Sequence, residues 1–365
     1  MKLLITFLLA LISCQNSSNL IPITEQTVTK IVQIARLEYV DAIIYELIFH
    51  PQIAQLTFLK LSESSLEGDI LTLESQTLKQ IQPGVESIQG TTFAYSPDGS
   101  LLGIGDANGK ITIYSTVSFQ VFKIFQASPD IVTSLAFSPD NAYLGATFGS
   151  PTIENSGDNT FILLSVSSGE SMLSYLLDET ILGIYGRAVT FSEDSNAVFL
   201  ATLNLTTSGG EIIGWRIEDE REIFRQSGCG MYNHQLILES TRGELYCVAN
   251  QAINRVSVSA DTDQKTLIFG AIKVELESIR VIAMHPSEPI LAVGYFKKIL
   301  RPDGGPSSTN EGSIRFYNIE TGDELAVLDV PESAITALAF SPDGTLLASG
   351  GADGTVRLWG IPAGE

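Results

Sequence analysis

Short apolar runs separated by turn residues fill the chain. Near its end, Ile335, Ala337 and Ala339 occupy every second position, the side-chain period of a β-strand. Pro342, Asp343 and Gly344 then make a turn: proline fixes φ, aspartate can bond its own backbone, and glycine accepts φ > 0. A second strand, "LLASGG" at 346–351, follows. Asp353-Gly354 is a two-residue hairpin signal, and "TVRLW" at 355–359 is a third strand. Elsewhere a glycine-containing turn such as "ETGD" at 320–323 leads into a fourth apolar run, "ELAVLDV" at 324–330.

The unit repeats. Taking the bulky residue ahead of each Ser-Pro-like turn gives Phe49, Tyr95, Phe137, Phe191, Met284 and Phe340, at separations of 46, 42, 54, 93 and 56. The 93-residue gap is twice the period, so a degenerate unit falls near Leu238, in "QLILESTRGELYCVA". Seven units of four short antiparallel strands predict an all-β fold, a seven-bladed β-propeller over residues 27–365. The last unit lacks a fourth strand, whereas "TVTKIVQIA" at 27–35 precedes the first unit unpaired. The two facts predict that 27–35 pairs beside Thr355 to Trp359 and closes the ring without a free edge.

On these residues the chain resembles the WD-repeat propeller family. The likeness is carried most clearly by "SPDGTLLASGGADGTVRLWG" and covers essentially everything after residue 26. It implies a rigid ring, and points to no single activity because the architecture hosts many. The Trp-Asp pair of the family is replaced by Trp359-Gly360 and Trp215-Arg216, and Gly-His pairs are absent. The family's Asp-His-Ser-Trp hydrogen-bond network is therefore not general here, and Asp353 is its best trace.

Composition excludes more than it suggests. A hydrophobic fraction of 44% against 17% charged residues is that of a globular chain with a large core. The net charge of -21 repels phosphate backbones, so no nucleic-acid partner is expected. The three histidines are few for catalysis. His50 and His285 stand in the turn slot where other units carry serine, which predicts turn capping, and His234 opens a strand of the degenerate unit. No G-x-S-x-G, H-E-x-x-H or C-x-x-C pattern occurs. Asp261/Asp263 and Asp106/Asn108 lack the ligand-rich loop of a calcium site. No catalytic residue, metal or cofactor is expected.

The variable parts are connections. The link between second and third strands is long at 61–68, 149–158, 203–210 and 296–312, and strand order puts all four on one rim. The last carries Lys297, Lys298 and Arg301, a basic cluster in an acidic protein, and is the candidate partner-binding loop. Cys229 and Cys247 would lie near one another and are either bridged or two separate thiols.

The N-terminus adds location. "MKLLITFLLALISC" has one lysine and an apolar run too short to span a bilayer. Leu11-Ile12-Ser13-Cys14 resembles the lipobox of bacterial lipoproteins, which implies a signal peptide at 1–13, a diacylglyceryl group on Cys14, and an anchored tether at 14–26. The expected function is a non-catalytic scaffold for an unknown protein partner, held by its N-terminal lipid on the extracytoplasmic side of a membrane. A small-ligand or ion sensor and a propeller enzyme with an unrecognised channel site are the alternatives.

Overall fold

A computed structural model describes residues 20–62, 65, 67–79, 88–149, 160–176, 184–204, 209–229, 236–239, 243–249, 252–258, 272–273, 277–297 and 311–363. It is a seven-bladed β-propeller. Six sheets of four antiparallel strands follow one another in chain order, and a seventh contains Ile335–Phe340, Leu346–Gly351 and Thr355–Pro362. The first strands of neighbouring blades pack together around the axis. Each expected bulky residue ends or nearly ends a first strand, from Ile43–Phe49 in blade 1 to Ile335–Phe340 in blade 7; the degenerate unit is a full blade that opens with Leu236–Glu239.

The core lies between blades rather than under a single sheet. Phe125 of blade 2 packs with Phe137 and Phe148 of blade 3, and Phe161 of blade 3 packs with Trp215 and Phe191 of blade 4. Small residues permit this closeness. A Cβ on Gly350 would come within 2.6 Å of Ile44 in the next blade, and one on Gly294 within 2.7 Å of Ile335. This explains why the second strands read as small and branched residues.

Strand directions define two faces. The turns between first and second strands lie on one, hereafter the turn face; the links between second and third strands, and those entering each new blade, lie on the other, the loop face. In five blades the first strand carries a β-bulge close to the loop face, at Tyr45, Thr133, Arg187, Arg280 and Thr336.

The ring is closed by its two ends, as expected, with the pairing segment shifted a few residues later than 27–35. Val32–Glu38 pairs with Thr355–Pro362, in register from Val32 against Gly360 to Glu38 against Thr355. Residues Val28–Lys30 instead form a 3-10 turn. Thr27 Oγ1 accepts from Thr24 N (2.8 Å), and Val28 and Ile31, three apart, are both buried between blades 6 and 7. That spacing suits a helical turn better than alternation.

The folded body also begins earlier than residue 27. Leu20–Ile21 pairs with Ile361 and Pro362, and Ile23 is fully buried, so the body of the fold takes in residues from Leu20 onward. Among the described residues no helix is long and apolar enough to cross a membrane.

Candidate functional site

Loops can recognise only what their anchoring strands hold in place, so the strand ends define the loop face. The strands trim the long links. Lys297 and Gly312 are strand residues, leaving 298–311; Leu61 and Gly68 leave 62–67; and Gly149 and Thr160 leave 150–159. The link expected at 203–210 is partly ladder, because Leu203 pairs with Gly210 and Asn204 with Gly209, and 205–208 lie outside the described residues. Three long links therefore share the loop face instead of four. The glycines at 209 and 210, read as loop residues, are tolerated in the strand.

The bulges supply what sequence reading missed. An extra residue in one strand breaks the alternation and re-aims a side chain. Tyr45 is 42% exposed and Arg280, whose guanidinium lies over the Phe296 ring at 5.6 Å, is also exposed. Thr336 does the opposite. Its hydroxyl donates to Ile44 O of the next blade and lies 3.1 Å from Gly350 O. Thr91 bridges in the same way to Val132 O (2.6 Å) and Gly105 O (3.1 Å). The mouth of the propeller thus alternates hydroxyl stitches between blades with outward-aimed aromatic and cationic groups. Neighbouring apolar residues in "DAIIYELIF" are the only sequence trace of the bulge at Tyr45.

Glu46, next to Tyr45, was not singled out by the sequence either. It reaches from the first strand of blade 1 to blade 2, where Phe93 N donates to its Oε2 (3.3 Å). Burial between the blades raises its pKa to about 7, against the lowering effect of the bonds from Phe93 and Thr92.

On the turn face His50 and His285 cap their turns, as expected, and do more. His50 Nδ1 accepts from Gln52 N (3.1 Å) and Ile53 N (3.3 Å), which leaves the proton on Nε2 to be donated to Gly99 O (3.0 Å) of the next blade. His285 repeats this with Ser287 N, Glu288 N and Gly344 O of blade 7. Burial lowers both pKa values. The rings rest on Tyr95 and Phe340. These histidines are consumed by interblade bonding.

The expected site residues fall as follows. Lys297 ends its strand on the loop face, with its side chain outside the described residues; Lys298, Arg301, His234, Asp261, Asp263 and Cys14 also lie outside them. Cys229 ends the strand Glu222–Cys229, again without a described side chain, while Cys247 is buried and disulfide-bonded. Strand Glu222–Cys229 packs against Glu244–Ala249, which carries Cys247. Asp106 Oδ1 accepts from Asn108 N and Lys110 N (both 2.9 Å), which is ordinary turn chemistry. Among the described residues no group of three or more His, Cys, Asp or Glu could hold a metal.

Asp353 accepts from Thr355 Oγ1 (2.6 Å) and from the buried Arg357 (3.2 Å). A second trace of the family network had gone unnoticed: Trp359 Nε1 donates to Ser349 Oγ (2.8 Å). Ser333 Oγ, which accepts from Asp353 N (3.2 Å), links to the Asp353 side, and no histidine takes part in these bonds.

Comparison with known proteins agrees with this geometry. Residues 322–360 match the family described as WD domain, G-beta repeat. The WD repeat-containing protein VIP3 of Arabidopsis thaliana is 32% identical over 82 residues, covering 22% of this chain and 21% of that protein. The periodic tryptophan protein 2 homolog of Dictyostelium discoideum is 26% identical over 313 residues, covering 78% of this chain and 30% of that protein. The chain thus spans less than a third of the length of these curated relatives. Among solved structures, the β-propeller domain of Cps50 (Swd1) from Myceliophteria thermophila superposes with a TM-score of 0.69 at 13% identity, covering 91% of this chain and 99% of that one. That likeness concerns the fold alone.

Proposed function

We propose that this propeller is a non-catalytic interaction scaffold, anchored through a lipid on Cys14 at the extracytoplasmic side of a bacterial membrane, and that its loop face binds a protein partner. Propellers built from WD repeats typically act as protein-interaction scaffolds. The observation that carries the reading is the loop face itself. The strand ends that flank three long links lie on the face where Tyr45 and Arg280 are exposed, on a ring held by interblade packing. Lys297, Lys298 and Arg301 cluster at the start of the third link and Asp303 and Glu311 follow, so this link can pair with either sign of charge on the partner. The lipobox-like Leu11-Ile12-Ser13-Cys14 supports the anchor, and the neighbouring strands of Cys229 and Cys247 support a disulfide between them, which suits an oxidising compartment.

The test is capture from native envelope extracts by the full chain. Replacing 299–310 by a short Gly-Ser turn leaves both flanking strands intact and is expected to remove the partner, as is Arg280→Ala together with Tyr45→Ala. Undiminished capture by both variants would place binding elsewhere.

A further inference from the structure

The direction in which the N-terminal segment leaves the ring has a consequence for where a partner can stand. Leu20 pairs with Pro362 and Ile21 with Ile361, at the end of the last strand that lies on the turn face. Ile23 N donates to Gly344 O (3.1 Å) in a turn of that face, and Asn318 Nδ2 donates to Glu25 Oε1, also on that side. Ile23 and Val28 are buried, so the segment is fixed to the rim of blades 6 and 7. The exit point is thus opposite the long links that join second to third strands.

From Cys14 to Leu20 there are six residue steps (20 − 14), which reach about 21 Å fully extended. The last strand, Thr355–Pro362, is eight residues, about 26 Å from the turn face to the loop face. The tether is shorter than the blade is tall. The turn face carries Asp98, Asp140, Asp194, Asp343 and Glu25, which anionic headgroups repel. Repulsion can stretch the tether or lean the ring on its rim, but turning the molecule over is out of reach.

We infer that the loop face is held away from the bilayer. The scaffold therefore binds a protein element standing in the aqueous space above the membrane, and neither lipid nor a partner segment lying in the same bilayer surface. This rests on the reading of Cys14 as the anchor and adds an orientation to it.

The experiment uses the full, lipidated chain in vesicles of zwitterionic lipid, with and without anionic lipid, containing headgroup spin-labelled lipid as quencher. Single fluorophores are placed at two exposed positions beside the anchored rim, Thr321→Cys on the turn face of blade 6 and Pro331→Cys in the loop-face link from blade 6 to blade 7. The fluorophore at 321 should be quenched and that at 331 should not. Inserting about a dozen Gly-Ser residues after residue 15 lengthens the reach to roughly 60 Å and should let the loop-face probe be quenched. Equal or stronger quenching at 331 without the insertion overturns the orientation. Failure of the chain to float with vesicles, or flotation that survives Cys14→Ala, overturns the anchor reading instead.

Discussion

Replacing Glu46 by glutamine isolates one carboxyl whose protonation the ring controls. Its pKa rises from 4.5 to about 7 on folding because burial between blades 1 and 2 disfavours the charge. A raised carboxyl pKa means the native state holds the proton more tightly than the unfolded chain. The stability from the neutral form is complete below pH 4.5 and is lost as pH rises through 7. At 1.36 kcal/mol per pH unit the shift amounts to at most about 3.4 kcal/mol, and the solvent that still reaches the group reduces this to about 2 kcal/mol.

A folded domain of this size has an unfolding entropy near 0.7 kcal/mol per degree, so about 2 kcal/mol corresponds to roughly 3 °C in Tm. The assay is thermal unfolding of wild type and Glu46→Gln from pH 5.5 to 8.5, clear of precipitation near the pI of 4.4. Glutamine keeps the acceptor for Phe93 N and cannot ionise. Roughly two-fifths of the loss is already incurred at pH 5.5, so the variant should exceed wild type by about 1 °C at pH 5.5 and by about 3 °C at pH 8.5. His50 and His285 drift in the opposite sense in both proteins, since their lowered pKa values cost stability as pH falls through the native pKa, and the difference between curves cancels them. Curves that remain parallel across this range would refute the account of Glu46.

A Cβ on Gly344, at φ +67, would lie 2.5 Å from the His285 ring, so Gly344→Ala should cost about 2–4 kcal/mol in denaturant unfolding. Blades 2 and 3 pair Ser96 with Asn141 (φ 61) in the same slots, so Gly344→Asn with His285→Ser should cost clearly less than the sum of the single changes. Ala35→Pro removes a ladder bond opposite Leu358 in the closing strand and should cost about 3 kcal/mol, with faster proteolysis at blade 7. Reduction of the disulfide, or Cys229→Ser, should each cost about 3 kcal/mol for a loop of this length. Unequal losses, or a peptide map joining Cys247 to Cys14, would contradict the pairing.

Turns and strands were legible because their chemistry is local. Pro342, Asp343 and Gly344 form the expected turn, with Asp343 Oδ1 accepting from Thr345 N (3.1 Å). The same holds at 96–99 and 138–141, and repetition located even the blade that has lost its signature. The closing strand was read a few residues early because "TVTKIVQIA" holds alternation and i, i+3 spacing at once, and contact with blades 6 and 7 chose between them. The link at 203–210 was read as loop from its glycines, yet pairing extends the strands through them.

The amino-acid sequence by itself determined the strands and turns, which follow from residues within a few positions of one another, and, through self-similarity along the chain, the seven-fold repeat and the need for an N-terminal partner strand. Only the tertiary structure decided which groups meet across blades: Glu46 with Phe93, His285 with Gly344, Thr336 with Ile44. It also decided that the chain enters at the turn face, opposite the long links that join second to third strands. Such relations join residues 47 to 292 positions apart, and their geometry is set by how blades pack rather than by any local preference of the backbone.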